Sequence, residues 1–144
     1  MRTKTLLSTA ALVFVVAVTP ALAESRPHKM RGTGHFTSAT EFASDGIATH
    51  LGNFTETGSV QFSGTGDQSV LQVDGWAIHT AASGDQVYEL ISGQLNVVTG
   101  AGTATTTYVG GTGRFADVSG SATISLQLTG PGTYEFSGKG TIDY

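Results

Sequence analysis

The feature that most constrains what this chain can fold into is a pair of glycines inside its last strand. In Tyr134-Glu135-Phe136-Ser137-Gly138-Lys139-Gly140-Thr141-Ile142-Asp143-Tyr144, apolar and polar positions alternate, which reads as a half-buried antiparallel strand. Tyr134, Phe136, Ile142 and Tyr144 share one face with Gly138 and Gly140, opposite Glu135, Ser137, Lys139 and Asp143. A glycine in mid-strand weakens the strand unless it permits a bend or a close neighbour. Two of them at i and i+2 on an inner face suit the sharp coiling of a small closed barrel. The preceding segment agrees, with Ala122, Ile124, Leu126 and Leu128 facing one way and Thr123, Ser125 and Gln127 the other. Gly130-Pro131-Gly132 between them is a strong turn, because proline presets φ and each glycine tolerates positive φ, so a hairpin is expected there.

From Gly32 onward no helical period exceeds two turns, and strand signals recur between Gly, Asp, Ser and Asn clusters. They fall near residues 34–42, 49–55, 58–64, 69–74, 76–82, 86–98, 103–109, 120–129 and 134–143. Ser44-Asp45-Gly46, Gly64-Thr65-Gly66-Asp67, Ser83-Gly84-Asp85 and Gly100-Ala101-Gly102 read as separators. A Gly-x-Phe core recurs at Gly34, Gly52 and Gly113 and marks strand starts rather than a repeat architecture.

Ahead of the barrel, Arg2 and Lys4 precede a nearly continuous apolar run, Leu6 to Val18, and then Ala21-Leu22-Ala23. This is the layout of a cleavable signal peptide over residues 1–23. Residues 24–32, with Arg26, His28, Lys29 and Arg31, read as a flexible basic leader, and residues 33–144 as the β-barrel domain. The expectation is an exported protein, periplasmic or extracellular, with no stable membrane insertion after cleavage. The chain has no cysteine, which removes disulfides, thiol catalysis and thiolate metal sites together and favours a bacterial envelope origin. After cleavage, eleven acids face Arg26, Lys29, Arg31, Arg114 and Lys139, a net charge of −6. That disfavours binding to nucleic acid or to anionic membranes.

Val87-Tyr88-Glu89-Leu90-Ile91 is apolar on both faces, and Leu95, Val97 and Val98 continue it. A strand apolar on both faces is covered on both faces. In a single-layer barrel the outer cover must be a loop or another subunit, so a homo-oligomer, dimer or trimer, is expected.

Gly110-Gly111-Thr112-Gly113-Arg114-Phe115-Ala116, followed by a Ser-Gly turn and an alternating strand, resembles the glycine-rich segment of allene oxide cyclase and dirigent proteins. It is closer still to small bacterial exported proteins with the same barrel. The resemblance implies an all-β fold, a single antiparallel eight-stranded β-barrel, often trimeric, with a largely apolar cavity. In the plant relatives that cavity holds an oxylipin or guides the coupling of phenolic radicals. No plant catalytic residue maps onto this sequence one by one.

Candidate chemistry is sparse. Gly111-Thr112-Gly113-Arg114-Phe115-Ala116 fits a dinucleotide-binding pattern in form, but a β run follows where that pattern needs a helix N-terminus. The better reading is a tight turn that lets Phe115 tuck inward. His28, His35, His50 and His79 are not paired with one another or with a carboxylate at a local ligand spacing, so no metal ligand and no cofactor is assigned, and only a site assembled across strands could hold a metal. Glu89 shares the face of Val87 and Ile91. If that face lines a cavity, its carboxyl is desolvated and suited to acid–base work; the other reading is a carboxylate at the rim in water. His79 reads as outward or interfacial, and Arg114 with Asp117 as a rim ion pair. Trp76, Tyr88, Phe115, Tyr134 and Phe136 are candidate ligand-binding residues. No catalytic constellation is visible, so the expected function is non-catalytic binding of a small apolar or aromatic ligand. The alternatives are an isomerase or cyclase using Glu89, and a structural or self-assembling envelope protein.

Overall fold

A computed structural model describes residues 24–144 of the protein; the expected signal peptide lies outside the described residues. The chain forms one closed antiparallel barrel of eight strands, each paired with its neighbours in sequence and the last with the first. They are β1 (Arg26–Phe36), β2 (Glu41–Ala48), β3 (Gly52–Gly64), β4 (Val70–Thr80), β5 (Gln86–Asn96), β6 (Ala101–Gly111), β7 (Ser119–Gly130) and β8 (Thr133–Asp143). A single 3-10 turn, Gly113–Phe115, interrupts the β6–β7 connection.

Several sequence expectations change, among them the strand over 34–42, which a turn at residues 37–40 splits between β1 and β2. The segment from Arg26 to Gly32 is not a flexible leader but the first half of β1, with His28 and Met30 buried and Lys29 and Arg31 exposed. Lys29 and Arg31 take outer positions, but Arg26 at the exposed start of the strand shares the parity of His28 and Met30, which masks the alternation. Ser44-Asp45-Gly46 is not a separator but the middle of β2. Gly46 lies there because the backbone of β1 passes so close that a Cβ would stand 2.2 Å from the Arg31 carbonyl oxygen. The segments 49–55 with 58–64, and 69–74 with 76–82, fuse into the single long strands β3 and β4, each with one inner glycine that needs no turn.

The predicted hairpin at Gly130-Pro131-Gly132 joins β7 and β8, and Gly132 has φ +68°. The faces of β7 and β8 are as read: Ala122, Tyr134, Phe136 and Ile142 are buried and Ile124, Leu126 and Leu128 pack against them. Gly140 faces inward, where a Cβ would stand 1.9 Å from the Ser121 carbonyl oxygen. Such contacts let the sheet coil tightly enough to close.

The two ends of the barrel differ. At one end Leu51, Val87, Phe115, Val118 and Ile142 form an apolar plug, with Phe115, Val87 and Ile142 fully buried. Phe115 tucks inward from the glycine turn as expected, packing edge-on against Tyr144. Arg114 pairs not with Asp117 but with Asp85, 4.0 Å away, and donates to the His50 carbonyl. At the other end Phe36, Phe62, Leu95 and Leu128 are only half-buried around the strand termini.

Candidate functional site

Between the plug and the open end lies a cavity of about 120 Å³. Its walls are apolar and aromatic, with Phe36, Phe42, Phe62, Tyr134 and Phe136 among them. Its polar lining includes Glu56, His79, Glu89 and Thr106. All four are buried.

Strand register assembles this group. Ser44 on β2 is paired directly with Glu56 on β3, and Glu56 directly with His79 on β4. Glu89 on β5 is paired with Ala77, two residues from His79 along β4 and on the same face. A one-residue slip would turn each of these side chains to the outside. The β5–β6 ladder shifts register between Tyr88 and Glu89, where β6 accommodates an additional residue, Val109. Such bulges re-aim side chains and recur beside functional sites.

The side chains converge on one nitrogen. His79 Nε2 is 3.0 Å from Glu56 Oε1 and 3.6 Å from Glu89 Oε1. Ser44 Oγ donates a hydrogen bond to Glu56 Oε2. The His79 ring stacks on Phe54, with centroids 4.8 Å apart and planes 30° apart. Four polar atoms around this floor have no hydrogen-bond partner: His79 Nδ1, Glu89 Oε2, Thr106 Oγ1 and the Tyr108 hydroxyl. Buried polar atoms normally find partners, so an unsatisfied cluster marks a place where the barrel interior is built to meet something else.

The electrostatics are those of a site that shares and retains protons. Burial alone would push the His79 imidazolium down, but Glu89 and Glu56 outweigh it and raise its pKa to about 9. Burial would lift Glu56, but the charge and hydrogen bond of His79, with the Ser44 hydroxyl, hold it below the usual carboxylate range. Glu89 is pushed up to about 7, by burial first and also by the Glu56 charge, against the opposing pull of His79. Burial, with the Glu89 charge, also raises Tyr108. At neutral pH the group is therefore an ionised Glu56 against a charged His79, with Glu89 partly protonated beside them.

Of the residues singled out from the sequence, Glu89, Tyr134 and Phe136 line the cavity. The rim position for Glu89 is overturned, since it is 2% exposed. Trp76 and Tyr88 do not line it. They sit on the outer face, opposite the inward Ala77, Val87 and Glu89, and Trp76 is 49% exposed. Phe115 belongs to the plug. His79 faces inward, not outward, and is 1% exposed. Glu56, Ser44 and Thr106 escaped the sequence reading. The available signal was on β3, where Phe54, Glu56 and Val60 share a face opposite Thr55 and Thr57. A carboxylate on an otherwise apolar face is the mark of a buried functional group.

On the outer face, Trp76 is paired with Leu90, and Ile78 with Tyr88. Leu90 is 54% and Val109 55% exposed. The apolar outer face read from the sequence is therefore present.

No protein-family model matches the chain, and no curated protein matches it. The fold and this interior define the class on their own: a closed eight-stranded antiparallel barrel holding a small apolar cavity over a buried carboxylate–imidazole–carboxylate floor.

Proposed function

We propose that this is an exported barrel protein that binds a small, largely apolar molecule in its lumen, within the allene oxide cyclase/dirigent-like group. The observation that carries the reading is the cavity itself: five aromatic side chains over a floor with unpaired polar atoms. Ligand sites are built this way, with apolar walls for affinity and a few polar groups for orientation. Its volume of about 120 Å³ approaches the roughly 150 Å³ of an apolar cavity that holds benzene. The bound part is thus one ring or a short branched chain. The apolar outer patch at Trp76 and Leu90 supports assembly into a dimer or trimer.

Native mass spectrometry of the 24–144 protein purified from its own host tests both points in one spectrum. A reproducible additional mass on an oligomer is expected. Fluorobenzene followed by ¹⁹F NMR tests the lumen directly. Saturable binding that is lost in Ala104→Leu, which fills the cavity wall, is expected; binding unaffected by that substitution overturns the assignment.

One observation favours a second reading, an isomerase or cyclase acting on the held molecule. Glu89 is buried in the cavity lining with one oxygen unpaired, where it could pass a proton to and from a substrate. Recovery of the ligand unchanged separates the binder from the enzyme.

A further inference from the structure

The floor has a property that neither reading uses. Three donor atoms from three different strands, His79 Nε2 and one carboxylate oxygen each from Glu56 and Glu89, lie within 4.8 Å of one another. A zinc-class ion holds nitrogen and oxygen ligands at about 2.0–2.2 Å, which places neighbouring donors of a tetrahedral site roughly 3.4 Å apart. The observed separations from His79 Nε2, 3.0 and 3.6 Å, bracket that value.

Charge points the same way. Two carboxylates and an imidazole buried in an apolar barrel must reach neutrality, because an uncompensated buried charge is costly. These three side chains do so either by binding two protons or by binding one dication. The dication leaves no charge over, which neither a monovalent nor a trivalent ion achieves.

The surroundings supply the remaining parts of a site. Glu56 presents Oε1 to the centre because its Oε2 is held by Ser44, the outer-shell support that orients metal-ligating carboxylates. The His79 ring is fixed by its stack on Phe54. Outside the three ligands, Thr106 Oγ1 is fully buried with no partner in the same cavity lining, and Glu89 keeps its second oxygen, Oε2, unpaired there. The cavity gives an ion a route in and leaves its remaining coordination positions facing the lumen.

We propose that Glu56, His79 and Glu89 form a binding site for one divalent transition-metal ion of the zinc class, with Ser44 as the positioning residue. The mixed nitrogen–oxygen donor set, without sulfur, suits Zn²⁺, Mn²⁺ or Fe²⁺ and disfavours the all-oxygen ions Ca²⁺ and Mg²⁺. This goes beyond lumenal binding and does not depend on it. It also bears on the choice above, since a Glu89 engaged by an ion is not free to carry a proton.

The test uses the 24–144 protein stripped with chelator and titrated with Zn²⁺ by calorimetry and with Co²⁺ by visible absorption. The expected result is one ion per chain and Co²⁺ bands of low coordination number. His79→Ala and Glu89→Gln should each weaken binding by at least about 100-fold, and Ser44→Ala by about 10-fold. Glu89→Gln is nearly isosteric, and its circular dichroism and melting confirm that a loss of binding is not a loss of fold. Absence of saturable binding, binding unchanged in both ligand variants, or Ca²⁺ binding as tightly as Zn²⁺ would each overturn the proposal. Fluorobenzene binding is measured on the same stripped sample, so a failed metal site and a failed lumen are told apart.

Discussion

Replacing His79 with leucine should unfold a disproportionate share of this protein's stability, although leucine fills much of the imidazole's volume and keeps the contact with Phe54. In the metal-free protein His79 is the counter-charge within the floor, 3.0 Å from one carboxylate and 3.6 Å from the other. At an effective dielectric of about 20, a full pair at these distances is worth about 5 kcal/mol. Part of that offsets the desolvation of both partners. What is left when one partner is removed is a buried carboxylate without a counter-charge, and such truncations cost about 3–5 kcal/mol. Urea unfolding at pH 7 with chelator present, followed by far-UV circular dichroism, measures this. With a slope of about 2 kcal/mol/M for a domain of this size, the midpoint should fall by roughly 2 M. The decisive contrast is Glu56→Leu/His79→Leu/Glu89→Leu, which removes all three charges together. Apolar replacement of a whole buried ionic group is neutral or stabilising by about 1–4 kcal/mol, so the triple variant should be more stable than the single one. A single variant within about 1 kcal/mol of the parent, or a triple variant worse than the single, would refute the view that His79 compensates a buried charge.

Gly140→Ala places a Cβ 1.9 Å from the Ser121 carbonyl oxygen, so β7 and β8 must part locally. Overpacking of this kind costs about 1–3 kcal/mol, read as a lower midpoint in the same urea experiment. His28 is held down at about pH 4, by burial first and then by the charges of His50 and His79, with Tyr108 edge-on against its ring. The unfolded chain therefore binds more protons between pH 6.5 and 4, and stability should fall as pH drops through that window. His28→Phe should flatten that part of the melting-temperature profile; an unchanged slope would assign it to other groups. Trp76→Ala should leave fluorobenzene binding unchanged, because the side chain is outside the lumen. Since Trp76 is the only tryptophan, its emission should be that of a solvated indole in dilute protein and should shift to the blue on self-association.

The barrel was legible where one face of a strand is apolar and the other polar, as in β7 and β8. The same regularity fails in β1 and β2. There Gly32, Gly34 and Gly46 occupy inner positions as space for neighbouring backbone or aromatic rings, and a glycine on paper looks like a turn. Glu89 stood out because Val87 and Ile91 flank it on its own face, but that pattern left open whether the face lines a cavity or meets water at the rim, and only the structure places it inside. The floor as a whole was not legible. Ser44, Glu56, His79 and Glu89 lie on four strands, and nothing local relates them; only the register of β2 through β5 brings them together. Trp76 and Tyr88 were misplaced for a related reason. Aromatic character alone does not tell the lumen from the outside of a barrel, and here the apolar bulk of the outer face belongs to a different surface.

The pairing of β1 with β8 sets when this molecule can finish folding. Ten positions, Arg26 to His35, find their partners only in the last strand, between Thr133 and Ile142. Local hairpins can form as the chain is made, but the seam joins segments separated by about the whole domain, so it carries the largest loop-closure cost of any strand pair. Until Thr133–Asp143 is available, β1 and β7 both present unpaired edges, and the cavity has neither Tyr134 nor Phe136 in its wall. Loss of the last strand as a whole would therefore leave an open sheet with exposed edges, prone to join other chains, while a chain held open until its end has been delivered would close in a single late step.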